Sequence, residues 1–282
     1  MKKLLLPLVF LSCSLFAHAD YTAADKTINV VIPQSNPSGL ANMFLMMQNY
    51  AEKKKISLVP IYKPGASGKI GLDYAEKTSN DGNTLLLATT SDILQNNASS
   101  KFDPVTNISE VRLVLVASKK SNIKHINDIV KAPADKFNWV YISTPQLALI
   151  NSIADHYNME KSKMQLVAYS PARGVPPQVS LISGDADIGY VMYSAAKQFI
   201  ETDQLTVVEL DLSLKKKLDA KVNAVSLFLP KNTNADANKF WEGFVGDFLK
   251  DEDTKKKFEA MDNHALPVGK VHLKKVLDSW VN

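Results

Sequence analysis

The chain contains 282 residues, 22% of them charged, and carries a formal net charge of +4 at pH 7. Its two arginines, Arg112 and Arg173, are far apart, and no basic cluster of the kind found on nucleic-acid surfaces is present. We therefore expect no nucleic-acid partner. The length is sufficient for one large domain or for two modest lobes with sizeable cores.

The first nineteen residues have the three parts of a secretory signal peptide. Lys2 and Lys3 precede a short apolar stretch, and an Ala-His-Ala tripeptide ends at Ala19. The apolar stretch is shorter than the roughly 20 residues that cross a bilayer. We predict cleavage after Ala19 and export to the periplasm. Cys13, the single cysteine, lies inside this segment without a lipid-attachment pattern before it, so the mature chain would contain no thiol.

The mature chain alternates β-rich runs with helical patterns. Its first part predicts strands at 28–32, 56–62 and 85–88 and helices at 40–53 and 71–78. After an apolar run at 111–117, the sequence predicts strands at 139–142, 164–168, 186–191, 205–210 and 222–229 and helices at 126–130, 147–157 and 176–183. A lysine-rich turn follows residue 210, and a helical tail covers 238–282.

This alternation predicts an α/β fold with parallel strands and right-handed crossovers. Two such units, followed by one strand and a helical tail, predict two lobes joined by two crossings near 111–118 and 222–228. Residues 20–112 and 226–282 would form the first lobe, and residues 113–225 the second.

Five loops that follow predicted strands are short and rich in Ser, Thr and Gly. Ligands of open α/β sheets bind beyond the carboxyl ends of the strands, and exposed N–H groups at helix starts favour anions. Each loop alone is also an ordinary cap or turn. Together they predict a site for a small polar ligand, formed by Gln34, Ser35, Asn36, Ser38, Gly65, Ala66, Ser67, Gly68, Thr89, Thr90, Ser91, Ser143, Thr144, Tyr169, Arg173 and Tyr193.

Enzyme and metal-site patterns do not fit the sequence. The segment from Gly65 to Lys69 lacks the second glycine of a nucleophile elbow, and Ile70 stands where a phosphate-binding loop has its hydroxyl. The histidines never pair at metal-ligand spacing. We therefore expect a binding protein, with neither a catalytic constellation nor a metal or other cofactor.

Three segments resemble the Bug receptors, the solute-binding proteins of tripartite tricarboxylate transporters. Residues 62–71 (YKPGASGKIG) are similar to the family's N-R-P-G-A-G-G-x-I-G, residues 80–86 to P-D-G-Y-T-L-L, and residues 102–105 to Y-D-P-V. The resemblance continues, more weakly, towards residue 282. It implies a Venus-flytrap pair of α/β lobes whose strand-end loops hold a carboxylate, and it implies membrane transporter subunits as partners of a monomeric receptor.

The sequence departs from the family pattern at several positions. Residues 37–42 replace a glycine-rich loop that ends in Asp, and Ser180 stands where the family has an Asp. Arg173 lies where the family has a lysine; it could pair with a carboxylate in bidentate fashion or be a surface residue.

These observations leave three functional hypotheses. The first is a periplasmic receptor that closes around a small organic acid or amino acid and delivers it to a transporter. The second is a sensor that presents its closed form to a signalling protein. The third is a periplasmic hydrolase, for which the sequence contains no base–nucleophile pair.

Overall fold

The computed structural model describes residues 21–36, 38–141, 143–168, 177–219 and 221–280, with only the backbone of Thr144 and Pro145. The predicted signal peptide and Cys13 lie outside the described residues, as do Tyr169 and Arg173. In the described part of the chain, no helix is long and apolar enough to cross a membrane.

The elements alternate along most of the chain. The strands are β1 (Thr27–Ile32), β2 (Ser57–Tyr62), β3 (Thr84–Thr89), β4 (Phe102–Glu110), β5 (Leu113–Ser118), β6 (Asn138–Tyr141), β7 (Gln165–Ala168), β8 (Ile188–Met192), β9 (Leu205–Val207) and β10 (Ala224–Pro230). The helices are α1 (Gly39–Lys53), α2 (Lys69–Glu76), α3 (Thr90–Gln95), α4 (Ile126–Val130), α5 (Thr144–His156), α6 (Pro177–Ser183), α7 (Tyr193–Glu201), α8 (Leu212–Asp219), α9 (Ala235–Phe248), α10 (Glu252–Ala260) and α11 (Lys270–Asp278).

The strands form two separate mixed sheets. The first has the order β2-β1-β3-β10-β4, and the second has the order β7-β6-β8-β5-β9. Parallel pairing joins β2, β1 and β3 in the first sheet and β7, β6 and β8 in the second. The chain passes from the first sheet to the second between Glu110 and Leu113 and returns before Ala224.

Each sheet is covered by helices on both faces. In the first sheet, Ile28, Val30 and Ile32 of β1 face the core under α1 and α9, whereas Val31 faces the core under α2 and α11. In the second sheet, Trp139 packs towards α4, α5 and α8, and the opposite face packs against α6 and α7. Burial on both faces explains why the central strands read as continuous apolar runs.

Two secondary-structure predictions are wrong. β10 runs antiparallel to β3 and β4, and β5 runs antiparallel to β8 and β9, so the sheets are not purely parallel. The lysine-rich segment after residue 210 is the helix α8, because Leu214 and Leu218, four residues apart, bury one face of it. The predicted helical tail is confirmed, as the three helices α9, α10 and α11.

The strand β4 was not predicted at all. Its buried positions include the polar residues Thr106, Asn107 and Ser109, so it lacks an apolar alternation. Pro104 also argues against a central strand, and β4 lies at the edge of the first sheet, where proline is tolerated.

Gly189 of β8 occupies a position where the second sheet leaves no room for a side chain. A Cβ atom there would lie 2.5 Å from Val140 Cγ1 and even closer to the Val140 carbonyl oxygen. Because that oxygen belongs to the neighbouring strand β6, the clash cannot be relieved by a side-chain rotation. We expect Gly189→Ala to lower the free energy of unfolding by about 3 kcal/mol, as measured by denaturant titration.

Gly243 provides the control. It lies on the exposed side of α9, and a Cβ atom there meets nothing within 4 Å. Gly243→Ala should raise the free energy of unfolding by about 0.5–1 kcal/mol, because alanine loses less backbone entropy in a helix. Equal effects of the two substitutions would contradict the close β6–β8 packing.

Candidate functional site

The first loop joins β1 to α1. Ser38 caps α1, since its Oγ accepts a hydrogen bond of 3.1 Å from Ala41 N–H. Ser35 and Asn36 are exposed, and Gln34 is half-buried. The side chains of Ser35 and Asn36 are therefore accessible to a ligand, whereas the Ser38 hydroxyl already holds the helix start.

The second loop joins β2 to α2 and has an unusual backbone. Gly65, Ala66, Ser67 and Gly68 all have positive φ, with values of 119°, 48°, 52° and 88°. For the two non-glycine residues this conformation costs about 1–2 kcal/mol each. Two side chains at the end of α3 hold the loop in place. Gln95 Nε2 and Asn96 Nδ2 donate hydrogen bonds of 2.8 and 3.0 Å to the Ser67 carbonyl oxygen. The Ser67 side chain stays exposed.

The third loop is the junction of β3 and α3, and a buried carboxylate organises it. Asp92 Oδ2 accepts hydrogen bonds from Thr89 N–H at 2.9 Å and from the Thr89 hydroxyl at 2.7 Å. Thr89 Oγ1 accepts in turn from Asp92 N–H at 3.2 Å, which completes a capping box. Asp92 is only 6% exposed, and this burial raises the pKa of its carboxyl above the ordinary value, although the hydrogen bonds from Thr89 oppose the shift.

The same junction is hydrogen-bonded to the segment just before β10, where the chain returns from the second sheet to the first; we call this segment the returning crossing. Asn223 Oδ1 accepts hydrogen bonds from the Thr90 hydroxyl at 3.0 Å and from Ser91 N–H at 3.2 Å. Thr90 Oγ1 accepts from Ala224 N–H at 3.0 Å. The Thr90 hydroxyl is therefore engaged within the protein, and Ser91 Oγ lies 2.6 Å from Thr89 Oγ1.

The three loops of the first lobe meet at one edge of the sheet. A Cβ atom on Gly68 would lie 3.2 Å from Asp92 Oδ1, so the second loop sits directly on the third. Gly71 of α2 packs against Pro33 with space for a hydrogen atom only, because a Cβ atom there would lie 2.7 Å from Pro33 Cα. The first loop is thus adjacent to the second.

In the second lobe, Ser143 and Tyr193 stand at helix starts. Ser143 is the N-cap of α5, with its N–H donating to Gln146 Oε1 at 3.2 Å, and Tyr193 is the first residue of α7. Tyr193 lies beside the segment between Glu110 and Leu113, where the chain passes from the first sheet to the second; we call this segment the outgoing crossing. The Tyr193 N–H donates to the Arg112 carbonyl at 2.9 Å, and the Arg112 guanidinium lies 3.9 Å from the Tyr193 ring centroid. Arg112 also pairs with Asp262 of the first lobe at 3.2 Å.

The two lobes contact each other through α3 and α5. Of the predicted site residues, those of the first three loops are brought together, and Ser143 and Thr144 open the helix α5 that contacts α3. Tyr193 lies at the crossing, and Tyr169 and Arg173 remain predictions. Among the described residues, no group of His, Cys, Asp and Glu side chains could hold a metal ion.

Sequence reasoning assigned no role in the site to Asp92, Asn223 and Arg112. A signal existed for Asp92, because Thr89 and Asp92 have the spacing of a capping box. For Asn223 no local signal exists, since its partner Thr90 is 133 positions away. Arg112 was noticed only for its rarity.

Comparison with known proteins gives the fold. No protein-family model matches the sequence, and no curated protein does so. Among solved structures, MatC from Rhodopseudomonas palustris with bound malate has a TM-score of 0.71 at 14% identity, covering 90% of this chain and 96% of that one. A second R. palustris protein, with adipate, has a TM-score of 0.71 at 14% identity, covering 90% and 93%. The periplasmic binding protein BugD has a TM-score of 0.69 at 14% identity, covering 91% and 96%.

Such identities establish the architecture only. The predicted fold class, two α/β lobes as in periplasmic binding proteins, is confirmed, and so is the likeness in fold to BugD.

The raised pKa of Asp92 predicts a pH-dependent contribution to stability. The folded chain binds the Asp92 proton more tightly than the unfolded chain, so this contribution is present at acidic pH and lost as the pH rises through the folded pKa. Asn cannot titrate there. The free energy of unfolding of the wild type, minus that of Asp92→Asn, should fall as the pH rises above about 4, the ordinary value for Asp, as measured by denaturant titration.

Asp128 serves as the control of opposite sign. Hydrogen bonds from the backbone N–H groups of His125 and Lys124 lower the pKa of its carboxyl. The corresponding difference for Asp128→Asn should be flat or rise with pH, because a carboxylate with a lowered pKa stabilises the fold above the unfolded pKa. An Asp92 difference that rises with pH would show that the carboxylate form is the favoured one.

Proposed function

We propose that this chain is a periplasmic solute-binding protein that closes its two lobes around a small carboxylate-bearing solute and delivers it to a transporter of the tripartite tricarboxylate type. The observation that carries the proposal is the meeting of three strand-end loops at one edge of the first sheet, on the lobe whose helix α3 contacts α5 of the second lobe. Binding at the carboxyl ends of strands is the rule for open α/β sheets.

The chemistry of these loops suits an anion. The N-terminal turns of α1, α2 and α5 point backbone N–H groups and the positive ends of helix dipoles towards the strand-end edge. The exposed side chains of Ser35, Asn36 and Ser67 add neutral donors. In this proposal Arg173 and Tyr169 complete the site from the second lobe, with the arginine pairing with a carboxylate.

The structural neighbours support the same class of ligand. MatC is described with bound malate, and its relative from the same organism with adipate. Both molecules are small dicarboxylates that differ in chain length. We infer that this protein also takes an organic acid of this size, and that its first loop determines which acid binds.

The lobe boundaries follow the change of sheet. We place the first lobe at 20–112 together with the segment from Ala224 onwards, because Ala224 and Val225 already pair within the first sheet. The two crossings are hydrogen-bonded side by side, with Val111 N–H donating to the Asn223 carbonyl at 2.7 Å. Adjacent crossings of this kind allow hinge closure, in which a ligand stabilises the closed state through contacts that the open state lacks.

Export is part of the proposal and depends on the predicted signal peptide at 1–19. Sequencing the N-terminus of the protein recovered from the periplasm tests it directly, with Asp20 expected as the first residue. A chain that keeps Met1 and stays in the cytoplasm would contradict delivery to a transporter.

A ligand screen provides the main test. The purified mature protein should show a raised melting temperature with one or more of malate, succinate, adipate and citrate, because a ligand that binds only the native state stabilises it. Micromolar affinity corresponds to about −8 kcal/mol, which a few charge-assisted hydrogen bonds can supply. Amino acids form the second arm of the screen. No shift with any organic acid or amino acid would contradict the proposal.

Arg173 is expected to contribute directly to binding of the best acid from that screen. Arg173→Ala should weaken affinity at least about tenfold by calorimetry, the loss expected for a hydrogen bond to a charged group. Arg173→Lys should be intermediate, because lysine keeps the charge but not the bidentate geometry. Lys216→Ala, on the exposed face of α8, is the charge-matched control. Equal losses for Arg173→Ala and Lys216→Ala would leave only a general effect of net charge.

A further inference from the structure

The segment after β10, residues 235–280, is here called the tail, and most of it is fixed to the first lobe. Its helices α9, α10 and α11 each contribute buried apolar side chains to the cores of that lobe. The connection between α10 and α11 runs along the edge strand β4, where Glu110 N–H donates to the His264 carbonyl at 2.8 Å and Leu266 N–H to the Ile108 carbonyl at 3.1 Å. The tail therefore moves with the first sheet.

Trp280 is the exception, because it leaves the first lobe. Leu277 still packs in a core of the first sheet, whereas Trp280, three residues further on, packs against the core of the second lobe. The indole N–H of Trp280 donates a hydrogen bond of 2.8 Å to the carbonyl of Val222 in the returning crossing. Lys221 of the same crossing lies 5.7 Å from the Trp280 ring centroid and donates to the Ser279 carbonyl at 3.4 Å.

A second contact ties the tail to the outgoing crossing. Asp262, between α10 and α11, accepts a hydrogen bond of 3.2 Å from Arg112 Nη1. The Arg112 guanidinium also lies 3.9 Å from the ring centroid of Tyr193 in the second lobe, so it stands between a carboxylate of one lobe and an aromatic ring of the other. Because the Arg112 side chain is 44% exposed, this ion pair contributes less than the packing of Trp280.

We propose that the tail is a brace across both crossings, which stabilises the arrangement of the lobes in which α3 contacts α5. Two crossings alone would act as a hinge. Since the tail is fixed to the first sheet, a rotation of the second lobe would separate Trp280 from the core on which it packs. The contacts of this large aromatic side chain bias the lobes towards the arrangement that keeps them.

A distance between the lobes tests the brace without any ligand. The mature chain predicted to start at Asp20 contains no cysteine, so Val59→Cys and Val167→Cys give two unique sites for spin labels. These residues are 38% and 42% exposed and lie on β2 and β7, the edge strands furthest from the crossings in the two sheet orders. Pulsed EPR should give one narrow distance distribution for this background, and Trp280→Ala should add a second population.

Two matched controls isolate the contacts between the lobes. Val271→Ala shortens a side chain of α11 that is 67% exposed and should keep the narrow distribution. Asp262→Asn should change the distribution less than Trp280→Ala does. Its control, Asp253→Asn, removes the 2.6 Å ion pair with Lys53 inside the first lobe and should change nothing.

Trp280→Leu is the second test variant, because it keeps an apolar side chain but loses the ring and the indole N–H. It should show the second population to a smaller extent than Trp280→Ala. A narrow distribution in folded Trp280→Ala would overturn the proposal. If the alanine variant does not fold, a narrow distribution in Trp280→Leu would overturn it equally.

A consequence for binding rests on the proposed function. α3 and α5 begin at predicted binding loops, so a solute held by both lobes should favour the braced arrangement. Apparent affinity scales with the fraction of protein in the competent arrangement, and Trp280→Ala should therefore weaken binding of the best acid at least about threefold by calorimetry. Val271→Ala should bind as the wild type does.

The two proposals fail in different ways. A wild-type protein that binds no acid would refute the proposed function, while the spin-label distances would still decide whether the brace exists. Unchanged affinity in Trp280→Ala, measured beside an altered distance distribution, would refute the part of the brace in binding and leave the proposed function intact.

Discussion

The buried side chain of Asn223 links the parts of this molecule on which any concerted behaviour depends. It stands at the returning crossing and accepts hydrogen bonds from Thr90 and Ser91 at the end of the central strand β3. Its own carbonyl accepts from Val111 at the outgoing crossing. One residue therefore fixes a strand-end loop to both connections between the lobes. A rotation of the lobes about these connections cannot leave the third loop unaffected.

The third loop also presents an electrostatic conflict. A carboxylate solute would approach a region that already contains the carboxyl of Asp92, directly beneath Gly68. Burial raises the pKa of that carboxyl, and hydrogen bonds from the N–H and hydroxyl groups of Thr89 stabilise its ionised form. The loops can thus tolerate an acidic residue near the proposed ligand because its charge is screened within the protein.

The sequence predicted the strands whose apolar residues form an obvious pattern along the chain. β1 and β3 and the loops after them were identified because buried parallel strands are continuous apolar runs with polar turns between them. β4 was missed because several of its buried residues are polar, so it lacks an apolar alternation; Thr106 Oγ1, for example, accepts a hydrogen bond from the distant Gly269 N–H at 2.8 Å. The hydrogen bonds of Asn223 and the ion pair of Arg112 with Asp262 join residues more than 100 positions apart, which no local pattern can reveal.

The left-handed run from Gly65 to Gly68 limits how this protein can change through evolution. Branched side chains are strongly disfavoured at positions 66 and 67 by the backbone alone, whatever solute is present. The carbonyl of Ser67 is already held by Gln95 and Asn96, so the loop has little freedom to adjust to a new guest. Selectivity among related proteins should therefore diverge in the more accessible segment around Ser35 and Asn36, while this turn stays nearly constant.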